Sequence, residues 1–300
     1  MTIYIASIEK NKGSIQEDIF IQKAFLLRGL VLKIETLENI VLEVISGDVV
    51  FLKSIWGYHK DYKKFLEHIS LLKKKMVILI NDYEYIHWNI DKSKYFSEID
   101  FLKIIPTSKL DFNSVKSIND IEKIVQLIIK DDLNTKFVIK PTIGASGYLT
   151  YIYDKKVVAN NRINNILDHK DLSFIIQPFR PQISEGEISI VLINGKIQYG
   201  MKRFPGIFTK KKEPKYIDVQ KISEQLTAQT ELLFDFFITK FKFLPKICRI
   251  DFVKNRLDYE IMEIELIDPD LFFRHIPRDV LSECLIELVD IKRHISLINV

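Results

Sequence analysis

The stretch from Cys248 to Phe272 constrains the fold more than any other, because charged residues interrupt two apolar alternating segments. Apolar residues alternate on both sides of a polar turn, which predicts two antiparallel strands. Side chains two positions apart share a face of a strand, so Arg249 and Asp251 are expected together on the first strand. By the same spacing, Glu263 and Glu265 share a face of the second. If those faces meet, three carboxylates and one guanidinium converge.

Three crowded carboxylates repel one another unless a cation lies between them. Hard oxygen ligands of this kind suit Mg²⁺, especially Mg²⁺ that also holds nucleotide phosphates. The alternative interpretation is an ordinary hairpin with a solvated acidic face. These residues alone do not separate the two interpretations, so the rest of the chain has to decide.

Composition describes an ordinary globular protein and excludes several classes of function. The 300 residues, 47% of them hydrophobic, allow two or three subdomains. A net charge of +4 is too small over this length to predict a nucleic-acid partner, and no apolar run is long enough to predict a membrane span. The N-terminus lacks a signal-peptide pattern, and Cys248 and Cys284 lack metal-type spacing. We therefore expect buried thiols in a reducing cytoplasm.

Strands and helices alternate through the first third of the chain, which predicts an α/β layer with a mainly parallel sheet. A helix is predicted from Ser14 to Arg28, with Ser14 and Glu17 as a capping box and Gly29 as its C-terminal stop. Four strands and a second helix are also predicted: Ile3 to Ser7, Leu30 to Glu35, Asp48 to Leu52 and Met76 to Ile80, with the helix at Tyr62 to Lys74.

Shorter elements are predicted over the remaining two thirds, including a two-residue hairpin turn at Asn194-Gly195. The predicted strands are Ile104 to Thr107, Lys136 to Lys140, Tyr148 to Tyr153, Ser173 to Gln177, Ile188 to Ile193 and Lys196 to Arg203. The predicted helices are Lys94 to Leu102, Val115 to Lys130, Asn160 to Asp168, Ser223 to Phe237 and Arg278 to His294. We interpret the polar, basic stretch from Gly206 to Lys215 as a mobile loop.

A loop of small residues follows the strand that ends at Lys140. In it, Gly144 and Gly147 bracket Ala145 and Ser146. Such a loop lets backbone N–H groups approach a phosphate closely, and the serine adds a hydroxyl. It is not a Walker A loop, because no Gly-Lys-Ser/Thr follows and the next predicted element is a strand. A plain hairpin turn is the alternative.

Six segments of the chain stand in an informative order. They are Asp91-Lys92, Ile105 to Thr107, Phe137 to Gly147, Phe174 to Phe179, Gly186 to Ile197 and Arg249 to Phe272. Taken together they resemble the ATP-grasp superfamily of ADP-forming ligases, over almost the whole chain. Trp56-Gly57-Tyr58, the WNIDK segment and the ELIDPDLF ending look most like the bacterial glutathione-synthetase-like branch, which includes D-cycloserine ligase.

The resemblance implies a mixed α/β (α+β) ATP-grasp fold. An N-terminal parallel α/β domain would span residues 1–104, a central lid subdomain 105–179 and a C-terminal catalytic subdomain 180–300, the last two clasping ATP. It also implies that ATP is bound by Lys92, Lys140, Gly144, Ala145, Ser146, Gly147, Gln177, Pro178, Phe179, Glu187 and Lys202.

Particular roles follow from the same resemblance. Lys92 and Lys140 would contact phosphates, residues 144–147 would close over them, residues 177–179 would form the hinge under adenine, and Glu187 would bind the ribose hydroxyls. Mg²⁺, or Mn²⁺ in its place, would be held by Asp251, Glu263 and Glu265. The catalytic residues would be Arg249, Lys140 and Lys202. The alternatives are surface positions for the lysines and for Glu187, and a salt bridge to Asp251 or Glu263 for Arg249.

Three positions depart from the pattern of the superfamily. Glu265 stands where an asparagine is common, and it remains a competent metal ligand. Pro178 stands where many relatives have a glutamate, which leaves the side-chain part of adenine recognition open. Thr209 stands where an arginine that positions phosphate or acceptor is expected, which leaves the substrate open.

The implied reaction is ATP-dependent activation of a carboxylate as an acylphosphate, which an amine or similar nucleophile then attacks. The expected partners are a small carboxylate and an amine, with Trp56, Tyr58, His59 and Arg274 as candidates for their pocket. Two alternatives are an enzyme that adds amino acids to a peptide or protein tail and a non-catalytic ATP-binding regulatory protein. The oligomeric state is open, a dimer included.

Overall fold

The computed structural model describes residues 1–110, 120–121, 123–124, 136–145, 147–154, 169, 172–204 and 212–290. These residues form three β-sheets, which we call the N-terminal, central and C-terminal sheets. No helix within these ranges is long and apolar enough to cross a membrane.

The N-terminal sheet is parallel, with strand order β2-β1-β3-β4. Its strands are β1 (Ile3–Ser7), β2 (Leu32–Thr36), β3 (Val49–Ser54) and β4 (Ile78–Ile80), connected by helices α1 (Gln16–Leu27), α2 (Leu37–Glu43) and α3 (Tyr62–Lys74). The parallel order confirms the predicted α/β layer, and α3 has the predicted bounds. Helix α3 forms because Phe65, Ile69 and Leu72 recur at helical spacing and are buried on one face.

The capping box predicted for α1 is wrong. The N-cap is Ile15, which has no side-chain hydrogen bond, and the Ser14 hydroxyl donates to the carbonyl of Asn11 at 2.9 Å. Glu17 turns inward instead, because the buried ammonium of Lys53 pairs with its carboxylate. Helix α2 and helix α4 (Tyr83–Asn89) were not predicted, although Thr36 and Asp82 cap them.

The central sheet is antiparallel, in the order β5-β8-β6-β7, and comprises β5 (Ser108–Leu110), β6 (Lys136–Pro141), β7 (Tyr151–Asp154) and β8 (Phe174–Pro178). The strand predicted at Ile104 to Thr107 is wrong. Only Ile104 bridges to Ile261, and the pairing stops at Pro106, which has no N–H. Strand β7 begins three residues later than predicted, because Gly147 and Leu149 have positive φ values of 70° and 46° in the preceding turn.

The C-terminal sheet is antiparallel, in the order β11-β10-β9-β12-β13. Its strands are β9 (Glu187–Ile193), β10 (Lys196–Arg203), β11 (Lys215–Ile217), β12 (Ile247–Asn255) and β13 (Asp258–Glu265). The predicted hairpins β9–β10 and β12–β13 are both present. Lys215 begins a strand that was not predicted. Helices α5 (Lys92–Glu98), α6 (Glu224–Phe241) and α7 (Arg278–Val289) correspond to predicted helices with shifted bounds.

Several predictions lie wholly or partly outside the described residues. They are most of the helix at Val115 to Lys130, the helix at Asn160 to Asp168, Ser146, residues 205–211 with Thr209, and the end of the last helix beyond 290. The core that supports the site is better defined. Phe237 and Phe241 of α6 pack with Ile250 and Phe252 of β12, so the strand that carries Arg249 and Asp251 is anchored by buried aromatic side chains.

Candidate active site

A cavity of about 520 Å³ lies between the central and C-terminal sheets. Its volume is in the range of pockets that bind small molecules. The predicted site residues that line it are Lys92, Lys140, Gly144, Ala145, Gly147, Gln177, Pro178, Phe179, Glu187, Arg249, Glu263 and Glu265. Of the other predicted site residues, Lys202 and Asp251 are described but are not among the lining residues, and Ser146 lies outside the described residues.

The paired strands β12 and β13 bring the predicted charged residues together. Their antiparallel register places Arg249 opposite Glu265 and Asp251 opposite Glu263. The Arg249 guanidinium donates two hydrogen bonds of 2.9 Å to Asp251, and its Nη2 lies 3.5 Å from the carboxylate of Glu265. The convergence predicted from period-two spacing is therefore confirmed.

Asp251 lies beneath the cavity rather than on its wall. It is fully buried and accepts hydrogen bonds from Ser189 Oγ at 2.6 Å and from Arg203 Nη2 at 2.7 Å, besides those from Arg249. Burial alone would raise the pKa of Asp251, but Arg203 and Arg249 outweigh it and hold the pKa at about 2. Both carboxylate oxygens are thus occupied by protein donors.

Arg203 is a cavity residue that sequence reasoning missed, as is Asp268. Its Nη2 lies 2.8 Å from Glu187 as well as 2.7 Å from Asp251. Burial raises the pKa of Glu187 to about 7, and the charge of Arg203 offsets this only in part. A β-bulge between Ile197 and Tyr199 shifts the β9–β10 register by one residue, so Arg203 rather than Lys202 faces Glu187.

Lys92 joins the glycine loop to the acidic strand. Its Nζ donates to the carbonyl of Gly144 at 2.5 Å and lies 3.0 Å from Glu263 Oε1. Its backbone N–H donates to the carbonyl of Thr142 at 2.8 Å. The loop is therefore tethered at two points above the cavity, and Gly147 takes the left-handed conformation that favours glycine.

Lys140 reaches the cavity from β6 without a protein partner. No hydrogen bond or ion pair joins its ammonium group to another described residue, although Glu263, Glu187 and Asp251 act on its charge from a distance. Burial lowers the pKa of Lys140, and the attraction of Glu263 counteracts this. A lysine that faces a cavity in this way is suited to bind an anion.

Residues 177–179, predicted as the hinge under adenine, combine apolar surface with backbone groups, some of which already form hydrogen bonds within the protein. The Phe179 N–H donates to the carbonyl of Lys136 at 3.0 Å, and Pro178 has no N–H, so neither offers a free donor. The Gln177 side chain donates to Thr107 Oγ1 at 2.8 Å. The described apolar residues that line the cavity include Val138, Ile152 and Ile183.

The acidic residues fit a hard divalent cation incompletely. Glu263 and Glu265 present oxygen ligands on the cavity wall, whereas the oxygens of Asp251 are already bound by guanidinium and hydroxyl donors. Lys92 and Lys140 overcome burial and lower the pKa of Glu263, while burial raises that of Glu265. Within the described ranges, no group of three or more His, Cys, Asp or Glu residues is arranged to hold a metal ion.

Of the four candidates for the substrate pocket, Trp56 lines the cavity. His59 lies behind the glycine loop, with its ring 4.7 Å from that of Tyr148. Arg274 forms a two-pronged ion pair with Asp270, which also lines the cavity. His59 and Arg274 therefore each contact a lining residue, Tyr148 and Asp270, and are not themselves among the described lining residues.

Comparison with solved structures identifies the fold. The chain is similar to a D-cycloserine synthetase, DcsG (TM-score 0.78, 17% identity, covering 96% of this chain and 99% of that one). It is also similar to a D-alanine–D-alanine ligase from Bacillus anthracis, with a TM-score of 0.63, 12% sequence identity and coverage of 99% of both chains. A third similar structure is the macrocyclase MdnC from Microcystis aeruginosa bound to its precursor peptide MdnA, with a TM-score of 0.63, 11% identity and coverage of 96% of this chain and 99% of that one. No protein-family model and no curated protein sequence matches the chain. The similarities in structure show an ATP-grasp fold and confirm the predicted fold class.

Proposed function

We propose, on the premise of an ATP-grasp fold, that this chain is an ATP- and Mg²⁺-dependent, ADP-forming ligase. It would join a carboxylate to the amine of a small amino acid, peptide or related metabolite. The observation that supports this proposal most directly concerns the ammonium group of Lys140. It faces the cavity beside the glycine loop and has no ion-pair or hydrogen-bond partner among the described residues. A cation in that position is suited to bind an anion, and the triphosphate of ATP is such an anion.

In the proposed reaction, the substrate carboxylate attacks the γ-phosphorus and ADP leaves; an amine then displaces phosphate from the acylphosphate. Lys92 and Lys140 would bind the phosphates, and Arg249 would neutralise charge on the transferring phosphoryl group. Glu187 would accept hydrogen bonds from ribose hydroxyls. Mg²⁺, or Mn²⁺ in its place, would be held by Glu263 and Glu265 and would screen the phosphate charges. Asp251 would position Arg249 and Arg203 and would ligate metal only after losing one of these partners.

Closure over the site has a physical purpose in this chemistry. Water would hydrolyse an acylphosphate, so the reacting groups must be covered. Lys92 holds the glycine loop against Glu263, and the His59 ring supports Tyr148 from behind. These contacts support a role for residues 144–147 as a cover over the phosphates.

A second candidate function is the addition of amino acids to a peptide or protein tail. The observation that favours it is the similarity to the macrocyclase MdnC, whose structure contains a precursor peptide. Peptide and small-molecule acceptors would enter the same reaction after the acylphosphate has formed. The two candidates therefore differ in the acceptor and share the ATP chemistry.

We also propose the division into domains at 1–104, 105–179 and 180–300, which the three separate sheets support. A cytoplasmic setting is supported by two buried cysteines, Cys248 and Cys284, that are not joined in a disulfide. Small-molecule substrates rather than nucleic acid or membrane are in keeping with a cavity of about 520 Å³.

The test is calorimetric titration of the protein with Mg·ATP, followed by measurement of ADP release in the presence of a panel of amino acids and short peptides. We expect saturable binding that EDTA weakens, and ADP release that depends on both a carboxylate and an amine. Absence of binding at millimolar Mg·ATP would refute the proposal. Binding without ADP release in any mixture would instead support a regulatory ATP-binding protein.

A further inference from the structure

Asp268 is a buried acid that the proposed ATP chemistry does not use. It follows β13, lines the cavity and has only 3% of its surface exposed. Its Oδ2 is buried and has no hydrogen-bond partner within the described part of the chain. A hydrogen bond from its own backbone N–H acts on the carboxylate.

The nearby cations are committed to other groups. Lys53 pairs with Glu17 and donates to the carbonyl of Pro269, and Arg249 pairs with Asp251 and Glu265. The second acid of the Asp-Pro-Asp turn differs in this respect. Asp270 accepts two hydrogen bonds from Arg274, at 3.0 and 2.8 Å, and one from the Phe272 N–H at 2.9 Å. Asp268 is therefore the acid of this turn whose charge the protein leaves unmatched.

The backbone around Asp268 is fixed, so the carboxylate has little freedom to find a partner. On one side, the Leu266 N–H donates to Asn89 Oδ1 at 2.9 Å. On the other side, the Leu271 N–H donates to the buried carboxylate of Glu17 at 3.1 Å. A buried carboxylate held rigidly without donors is unfavourable, and such groups are normally satisfied by a ligand or a counter-ion.

The chemistry of the missing partner follows from the acceptor. A carboxylate pairs best with a cationic N–H donor, and it repels the phosphates that Lys92 and Lys140 would bind. Tyr58 lies in the field of the same acids, because Asp268, Glu265 and Glu263 all contribute, after burial, to raising its pKa. Asp268 therefore lies among other acids, Glu263 and Glu265, in surroundings that suit an ammonium group.

We propose that Asp268 binds the amino group of the acceptor through Oδ2, and that the acceptor is a small primary amine that enters as a cation. The proposal rests on the ligase function proposed above and names the class of its second substrate. Burial, together with the charge of Glu265, raises the pKa of Asp268 well above its usual range, which accords with a carboxylate that awaits a cation. An ammonium partner would reverse that shift.

The test compares Asp268→Asn with wild type and with Asp235→Asn, which removes the same charge from an exposed position on α6. The probes are the twenty L-amino acids, D-alanine and D-serine, each with Mg·ATP and a carboxylate panel, and ADP is measured. For the amine that gives the fastest release, we expect Asp268→Asn to raise the KM for the amine at least about tenfold, the effect of losing a charge-assisted hydrogen bond. The Kd for Mg·ATP should stay within about twofold, as should every constant of Asp235→Asn.

A second measurement does not depend on the identity of the amine. Removing an unmatched buried charge should leave the ligand-free protein at least as resistant to urea as wild type, whereas a structural role for Asp268 would lower the unfolding midpoint. The proposal is overturned if Asp268→Asn unfolds earlier, if the KM for the amine is unchanged, or if wild type binds Mg·ATP but responds to no amine. Failure of wild type to bind Mg·ATP at all would instead refute the underlying ligase function.

Discussion

Replacing Lys140 by methionine separates the proposed phosphate role of this residue from a structural one. Methionine keeps most of the volume of the side chain and removes its charge. In the ligand-free protein, burial lowers the pKa of Lys140, so the charged form is held at a cost at neutral pH. The substitution should therefore raise the free energy of unfolding slightly, since no described ion pair is lost.

The affinity of Lys140→Met for Mg·ATP, by contrast, should fall. A hydrogen bond from an ammonium group to a phosphate oxygen contributes about 1.5–3 kcal/mol, and its removal corresponds to roughly a tenfold to hundredfold loss of affinity. Calorimetric titration at fixed ionic strength measures this directly, and urea unfolding of the same samples measures the stability. The matched control is Lys136→Met, which removes an exposed lysine from the same strand.

Two results would refute this reasoning about Lys140. One is affinity of Lys140→Met for Mg·ATP within twofold of wild type, which would mean that the ammonium contacts no phosphate. The other is an equal loss in Lys136→Met, which would mean that the effect reports overall charge. Reduced stability of Lys140→Met would indicate that its burial is compensated by contacts within the protein.

Two further substitutions test the charges on the C-terminal sheet. The pKa of Glu187 is raised from 4.5 to about 7, so the ionised side chain destabilises the folded state; this cost is absent below pH 4.5 and is complete above pH 7. Glu187→Gln should therefore be about 1–3 kcal/mol more stabilising at pH 8 than at pH 5, as measured by urea titration. A difference in stability that does not change with pH would contradict this reasoning. Asp251→Asn should lower the free energy of unfolding by about 3–5 kcal/mol at pH 7, because Arg203 and Arg249 lose a buried partner. A loss below about 1 kcal/mol would show that the guanidiniums find other acceptors.

Periodicity in the sequence was enough to predict the elements that carry the site. The parallel N-terminal layer and the β12–β13 hairpin follow from local patterns, because apolar alternation fixes which side chains share a face. Arg249, Asp251, Glu263 and Glu265 could therefore be placed together before any tertiary contact was known. The fold class was implied by the resemblance to the ATP-grasp superfamily, which six short motifs carry through their order and none carries alone.

The β9–β10 hairpin shows where such reasoning fails. The tight turn at Asn194-Gly195 starts the pairing with Ile193 opposite Lys196, and an unbroken ladder would then place Lys202 opposite Glu187. The bulge inserts one residue, and a shift of one residue exchanges the faces of the strand. No residue in the segment signals a bulge, so the place of Arg203 on the cavity could not be predicted from the sequence; Lys202 was implied by the family resemblance and not by strand register.

Long-range contacts account for the other differences. Glu17 belongs to a capping pattern by local spacing, but Lys53 pairs with it and the Leu271 N–H donates to it from 254 residues away. Asp251 was expected to face a metal, yet it is withdrawn beneath two guanidiniums, one of which comes from another hairpin. Local spacing gives the face of a strand, whereas the partner on that face depends on the packing of the whole chain.

The charge balance of the cavity connects the two proposals made above. Among the described residues that line it, Lys92 is paired with Glu263, Arg203 with Glu187, and Arg249 with Glu265, while Arg180 and Asp270 have partners just outside the lining. Two lining groups of the described chain are left without an ion-pair partner: the ammonium group of Lys140 and the carboxyl group of Asp268. A ligand pair that brings a polyanion to the first and an ammonium to the second would complete the balance. ATP and a cationic amine have these charges, and an ADP-forming ligase must bind them side by side.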